Sequence, residues 1–160
     1  MILQTPRLRL RPLEDADLDA LCAITADPQV MAFVGDGLVL GRAATAQWIT
    51  NAGASVRLGG IGSRAITLRE DGRLIGWAGL IPTSEEHRLE LIYGLARAYW
   101  GQGYAAEAAQ AILTTTEGSV DATIDPENGA SRHILTGLGF AVVGMETDEN
   151  GLETLRLRRP

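Results

Sequence analysis

Lysine is missing altogether: every one of the 14 lysine-or-arginine positions is arginine. No lysine Schiff base can form, and no nucleotide-binding loop that needs a lysine to reach the β- and γ-phosphates is present. Histidine occurs twice, at His87 and His133, and cysteine once, at Cys22. This inventory is too small for a Cys/His-rich zinc site, so no metal is expected, and a single cysteine excludes an internal disulfide. No window approaches the roughly 20 apolar residues of a membrane-spanning helix. The opening residues Met1-Ile2-Leu3-Gln4-Thr5-Pro6 lack the basic start and apolar run of a signal peptide. A soluble, cytoplasmic protein without a membrane partner is expected. The formal net charge of −6 contains no basic block, which argues against the clustered phosphate contacts of nucleic-acid binding.

What is present fits one domain, residues 1–160, with one sizeable core. Alternation predicts a first strand at Leu8–Leu10, bounded by Pro6 and Pro12. Glu14, Asp15 and Asp17 place acid at the start of a helix that carries Leu18, Leu21, Cys22 and Ile24 inward and ends at Asp27-Pro28. Cys22 reads as a buried core residue. A second helix is predicted over Arg42–Ala52 with Trp48 and Ile49 inward. The four glycines of Gly53–Ser63 then suggest a mobile loop over a substrate.

Strands are predicted at Ala65–Arg69 and Leu74–Ile81, joined by an Asp71-Gly72 hairpin turn, and at Leu89–Leu95. The second of these is almost wholly apolar, as expected of a strand covered on both faces. A helix over Gly103–Glu117, a strand at Val120–Ile124 and a helix over Ala130–Leu138 follow, with Gly139 as the terminating glycine. Two strands, Ala141–Met145 and Leu152–Leu157, flank the turn Asp148–Gly151. The crossover helix requires the strands on either side of it to run parallel, while the hairpins require antiparallel neighbours. The expected fold is α/β (α+β): a mixed, mostly antiparallel, twisted sheet of about seven strands with helices on both faces.

The run Trp100-Gly101-Gln102-Gly103-Tyr104-Ala105 carries the chemistry. It follows a strand and opens a helix, so its glycines can turn the backbone and present unpaired first-turn amides to an anion such as a pyrophosphate. Ala105 and Ala106 keep the helix start free of bulk. A dinucleotide site of the Rossmann type fits poorly, because the third glycine is missing and the loop follows the fourth strand rather than the first.

This segment resembles the acetyl-CoA signature of the GNAT acetyltransferases, Gln/Arg-x-x-Gly-x-Gly/Ala, with Gly103 and Ala105 in its last two fixed places and Trp100 where Gln or Arg is usual. The opening Thr5-Pro6-Arg7-Leu8-Arg9-Leu10-Arg11, the strand Glu90-Leu91-Ile92-Tyr93, and Asn128-Gly129-Ala130-Ser131 followed by Gly137-Leu138-Gly139-Phe140 are similar to the ribosomal-protein N-terminal acetyltransferase branch. The resemblance covers nearly the whole chain in order. It implies acetyl-CoA as co-substrate, bound by Trp100, Gly101, Gln102, Gly103, Tyr104 and Ala105. It also implies a pantetheine arm held in a gap between parted strands near Tyr93, Leu95 and Ala96, with Asn128 as a further contact or a helix cap. A bulge at Gly94 would suit that gap.

Acetyl transfer needs a base for the attacking amine. Glu90 interrupts an apolar strand and is the candidate, with a solvated edge carboxylate as the bland alternative. Ser131 matches a serine proposed as the acid in the resembling branch and also reads as a first-turn helix residue. A tyrosine common in the family is replaced here by Leu135. A backbone amide near Leu95 could hold the oxyanion. Tyr93, Trp48, Trp77 and Trp100 read as core or pocket-wall aromatics. Asp36, Glu85, Glu86, Asp148 and Glu149 make the entry loops acidic, which suits a small-molecule amine or a protein N-terminus that is cationic in solution. The chain is expected to act as a monomer or homodimer. The alternatives are a non-catalytic acyl-CoA-binding module and a nucleotide binder.

Overall fold

Eight strands form one sheet in the order β1-β2-β3-β4-β5-β6-β8-β7. The computed structural model describes residues 2–85 and 87–160, so Glu86 lies outside the described residues. The strands are β1 (Leu3–Gln4), β2 (Leu8–Pro12), β3 (Gly62–Leu68), β4 (Leu74–Pro82), β5 (Leu89–Leu95), β6 (Val120–Ile124), β7 (Ala141–Thr147) and β8 (Glu153–Arg159). The helices are α1 (Leu18–Thr25), α2 (Pro28–Met31), α3 (Arg42–Gly59), α4 (Tyr104–Leu113) and α5 (Gly129–Gly137). All strand pairs are antiparallel except β5 with β6. The two-residue β1, too short to leave a periodic signal, brings the expected count of about seven to eight.

Each face of the sheet carries its own core. On one face Leu8, Leu10, Ile66, Leu80, Leu91 and Leu95 pack with Ala108 and Ile112 of α4 and Leu135 of α5. On the other, Ala65 and Trp77 pack with Leu21 and Ile24 of α1 and Ile49 of α3. Burial of β4 on both faces follows from its apolar run. A side chain such as Ile112, wholly buried, contributes roughly 1.5–3 kcal/mol. The expected burial of Cys22 is corrected: it is half-buried, and Leu21, Ile24 and Thr25 take the inward positions of α1. The Thr25 and Thr45 hydroxyls, both fully buried, satisfy each other at 2.9 Å.

The predicted mobile loop at Gly53–Ser63 is instead the continuation of α3 as far as Gly59, followed by the start of β3. Gly53 serves close packing: a Cβ there would stand 2.4 Å from the Leu13 carbonyl oxygen, a carbonyl that also accepts from Arg57. The helix ends where Gly60 adopts a left-handed φ of 74°. Similarly, α4 stops at Leu113 rather than Glu117. The Thr114 and Thr115 hydroxyls bond back to the Ala111 and Ile112 carbonyls and compete with the helix there. Gly139, at φ 92°, does terminate α5, and the Phe140 amide returns to the Leu135 carbonyl.

Of the three charged side chains buried among the described residues, Asp17, Arg64 and Asp121, the last two sit on central strands of the sheet. Asp121 on β6, fully buried, accepts from Arg156 and Arg158 of β8 and lies near Arg88. These guanidiniums hold its carboxyl below the usual range, against the opposing effect of burial. Arg64 on β3 is 1% exposed, and its Nε and Nη2 atoms have no hydrogen-bond partner among the described residues.

Candidate active site

β5 and β6 pair only at Leu89 with Val120 and Glu90 with Asp121. Beyond Glu90 the two strands part, and the remaining residues of β5 keep only β4 as a ladder neighbour. The Ala96 amide donates to the Ile75 carbonyl of β4 at 2.8 Å. Alternation along the strand therefore turns the Leu95 and Tyr93 amides to the opposite edge, into the gap. The Leu95 carbonyl, on that same edge, accepts from the Trp100 indole at 2.9 Å. Trp100 thus closes a carbonyl group that β6 would otherwise have paired.

The expected bulge at Gly94 does not occur: the β4–β5 register runs unbroken from Gly76–Leu95 to Pro82–Leu89. Gly94 is needed for another reason. A Cβ at this position would lie 2.3 Å from the Trp77 ring. The irregularity in this part of the sheet falls one strand pair away, between β3 and β4 at Ile66/Thr67.

The glycine loop leads from a short 3₁₀ turn, Arg97–Tyr99, into α4. Gly101 and Gly103 take φ values of 72° and 82°, conformations that L side chains adopt only with strain. Gly103 occupies the N-cap with no side chain to bond the amides of Tyr104, Ala105 and Ala106, which enter the helix without carbonyls behind them. These amides and the positive end of α4 have the chemistry that suits an anion, at the end of β5.

The segment Thr5–Arg7 braces this loop, a role that no local sequence pattern predicts. Arg7 donates to the Gln102 carbonyl at 2.9 Å, pairs with Glu107 of α4 at 2.7 Å and stacks 4.1 Å above the Tyr104 ring. Thr5 also bonds Glu107. The Gln102 side chain turns back to the Ala98 carbonyl. The one signal in the sequence is a glutamate in the first turn of an otherwise alanine-rich helix, with arginine-rich sequence at the far end of the chain.

Tyr93 and Ser131 meet across the gap, with their hydroxyls 2.6 Å apart. Ser131 is held in the first turn of α5 because Asn128 caps that helix, its side-chain oxygen accepting from the Ser131 amide at 3.1 Å. Leu135, one turn further on, is fully buried. Burial raises the Tyr93 phenol, against a smaller lowering by Ser131.

Glu90 is half-buried. Strand alternation puts it with Ile92 and Gly94 on the face covered by α1 and α3, opposite Tyr93. Burial pushes its carboxyl above the usual range, while Thr123 and Arg156 pull it back. Of the acids expected at the entry, Glu85 pairs with Arg88, while Asp36 and Asp148 accept from amides of their own turns.

A gap beside a strand and an amide-rich helix start suits an extended ligand with a phosphate head. Comparison with known proteins agrees. Residues 7–141 match the family described as Acetyltransferase (GNAT) domain. An uncharacterized N-acetyltransferase, p20 of Bacillus licheniformis, is 29% identical over 152 residues, covering 91% of this chain and 85% of its own. YkkB of Bacillus subtilis is 31% identical over 146 residues, covering 86% and 84%. An acetyltransferase structure from Agrobacterium tumefaciens superposes with a TM-score of 0.83 at 29% identity, covering 100% of this chain and 94% of that one. The ribosomal L7/L12 acetyltransferase RimL, solved with coenzyme A, shares the fold with a TM-score of 0.82 at 15% identity, covering 99% and 97%. With its gap, its glycine loop and these relatives, the chain belongs to the GNAT family of acetyl-CoA-dependent acetyltransferases.

Proposed function

We propose that this protein transfers the acetyl group of acetyl-CoA to a primary amine, either a peptide or protein N-terminus or a small amine, by direct attack on the thioester. The observation that carries the reading is the parting of β5 from β6 after Glu90, beside a helix start rich in unpaired amides. The loop Trp100–Ala105 receives the pyrophosphate of the donor on its backbone amides, and Arg7, its charge matched by Glu107, braces the loop. The pantetheine arm lies along Tyr93–Ala96, and the Leu95 amide, turned into the gap, receives the thioester oxygen as it becomes an oxyanion.

Glu90 takes the proton lost by the attacking amine, directly or through water, and its raised carboxyl pKa brings it closer to that role at neutral pH. Ser131 supplies the proton for the departing thiolate. Asn128 acts through the α5 cap, fixing where Ser131 stands. Glu90 and Ser131 reach the gap from opposite faces of the sheet, so the amine enters from one side and the thiol leaves on the other. The amine side is bordered by 33–40 and 82–85, where Phe33, Leu38 and Val39 are exposed. The net charge of −6 favours an acceptor that is cationic in solution, in a cytoplasmic setting. Neighbours on this fold include RimL and an immunity acetyltransferase solved with acetyl-CoA and AMP, so the fold alone does not choose between protein and small-molecule acceptors.

The test is thiol release from acetyl-CoA in the presence of a panel of peptides and small amines. Glu90→Gln should lower turnover by roughly a hundredfold or more while leaving the CoA-ester affinity unchanged. Tight CoA-ester binding with no thiol release from any amine would support the acyl-CoA sensor instead, a reading that the buried Leu135 at the usual tyrosine position favours.

A further inference from the structure

Acetyl transfer by Glu90 and Ser131 leaves the half-buried Tyr93 hydroxyl unused. We infer that Tyr93 and Ser131 form a two-hydroxyl proton relay, in which Ser131 protonates the thiolate and Tyr93 reprotonates Ser131. The inference rests on the acetyl-transfer reading and adds a positioning residue to it.

Four observations converge on the relay. The two oxygens lie 2.6 Å apart, at the short end for hydroxyl pairs, and either can donate. Ser131 is 9% exposed, so bulk water has poor access to replace a proton it gives up. Tyr93 stands on β5 beyond the last pairing with β6, and its contact with Ser131 lies beside the gap along which the donor's arm would run. Finally, Ser131 lies in the first turn of the nine-residue α5, where the helix dipole favours negative charge on a nearby oxygen or sulfur. A merely structural contact would explain the distance. It would not explain why a strand-borne phenol reaches a helix start at the parted edge, while the next inward position of α5, Leu135, can donate nothing.

The neutral amine attacks the thioester carbon, forming C–N, and gives one proton to Glu90. The tetrahedral intermediate collapses with cleavage of C–S, and the bonding pair goes to sulfur. Sulfur takes the Ser131 proton as Ser131 Oγ takes the Tyr93 proton. The resulting phenolate recovers a proton from water, and Glu90 returns one to water. The net products are the acetamide and free CoA thiol.

The experiment compares single-turnover transfer from acetyl-CoA and from its selenoester analogue, acetyl-seleno-CoA, whose selenolate leaves without needing a proton. Tyr93→Phe preserves the ring packing, so folding should be unaffected. With acetyl-CoA, Tyr93→Phe and Ser131→Ala should each slow transfer by about tenfold or more, with KM for the donor unchanged and the double variant no slower than Ser131→Ala. With the selenoester, all three should recover most of the wild-type rate. A Tyr93→Phe rate equal to wild type, or a loss that the selenoester does not restore, overturns the relay. Glu90→Gln separates the two readings: it should stay slow with both donors. If it is slow while Tyr93→Phe is not, the transfer mechanism stands and the relay falls. If Glu90→Gln is as fast as wild type, the base assignment falls.

Discussion

The Tyr93 hydroxyl lies 2.6 Å from Ser131 Oγ, joining a strand and a helix start that are 38 residues apart in sequence. The same strand carries Glu90 on its opposite face, so one seven-residue strand supplies groups to both sides of the gap. If these are the acid and base proposed above, their effects on rate should separate, because they stand on opposite faces of the strand.

As the proposed base, Glu90 should impose a pH dependence whose sign follows from its raised carboxyl. The rate with saturating donor should rise with pH through an acidic limb centred above the ordinary carboxylate range, and Glu90→Gln should abolish that limb. Stability runs the other way. A carboxyl raised in the folded state favours folding while it is protonated, below its unfolded pKa, and loses that contribution as pH rises through the folded value. Glu90→Gln should therefore gain stability relative to wild type above that window, measured as Tm against pH.

Asp121 should show the opposite linkage. Its folded carboxyl is held low, so its contribution is present above the unfolded value and is lost as pH falls through the folded one. Asp121→Asn removes the charge partner of Arg156 and Arg158. It should lower stability by about 1.5–3 kcal/mol at neutral pH, with the deficit shrinking in acid. Urea denaturation at two pH values measures both.

Gly94→Ala should be destabilising by about 1–3 kcal/mol, because the added methyl meets the Trp77 ring. Trp77→Leu is itself costly, but the double variant should cost less than the sum of the two singles. A coupling energy of zero in the cycle would refute the contact.

Arg64 is buried with two of its nitrogens unpaired among the described residues, and burial disfavours its charge. Arg64→Met keeps the length and removes the charge. It should leave stability unchanged or raise it by up to about 4 kcal/mol. A fall in Tm would show that the guanidinium has a partner in solution.

Much of this fold is legible in the sequence because its elements announce themselves locally. Asp71-Gly72 turns as expected, with Gly72 at φ 75° and the Asp71 side chain accepting from the Arg73 amide. The helix start after Gly103 follows from glycine placement alone. Two of the differences between expectation and structure share one cause, glycines whose purpose is set by distant atoms. Gly53 suggests flexibility but makes room for the Leu13 carbonyl; Gly94 suggests a bulge but makes room for Trp77. Of the candidate site, the loop and Glu90 can be picked out from neighbouring residues. The pairing of Tyr93 with Ser131 and the bracing of the loop by Arg7 cannot, because each joins elements whose proximity depends on the crossover of the chain.

The position of β8 between β6 and β7 dictates an order of assembly. β7 is synthesised before β8 yet has no place on the sheet until β8 arrives. The Asp148 turn lets the two close as a local hairpin first, and that hairpin must then dock onto β6 as a unit, bringing Arg156 and Arg158 to Asp121 in the same event. The hairpin is local and its docking onto β6 is not, so docking follows hairpin closure. Amide exchange should find β7 and β8 released together, as one cooperative flap, before the β3–β5 meander yields.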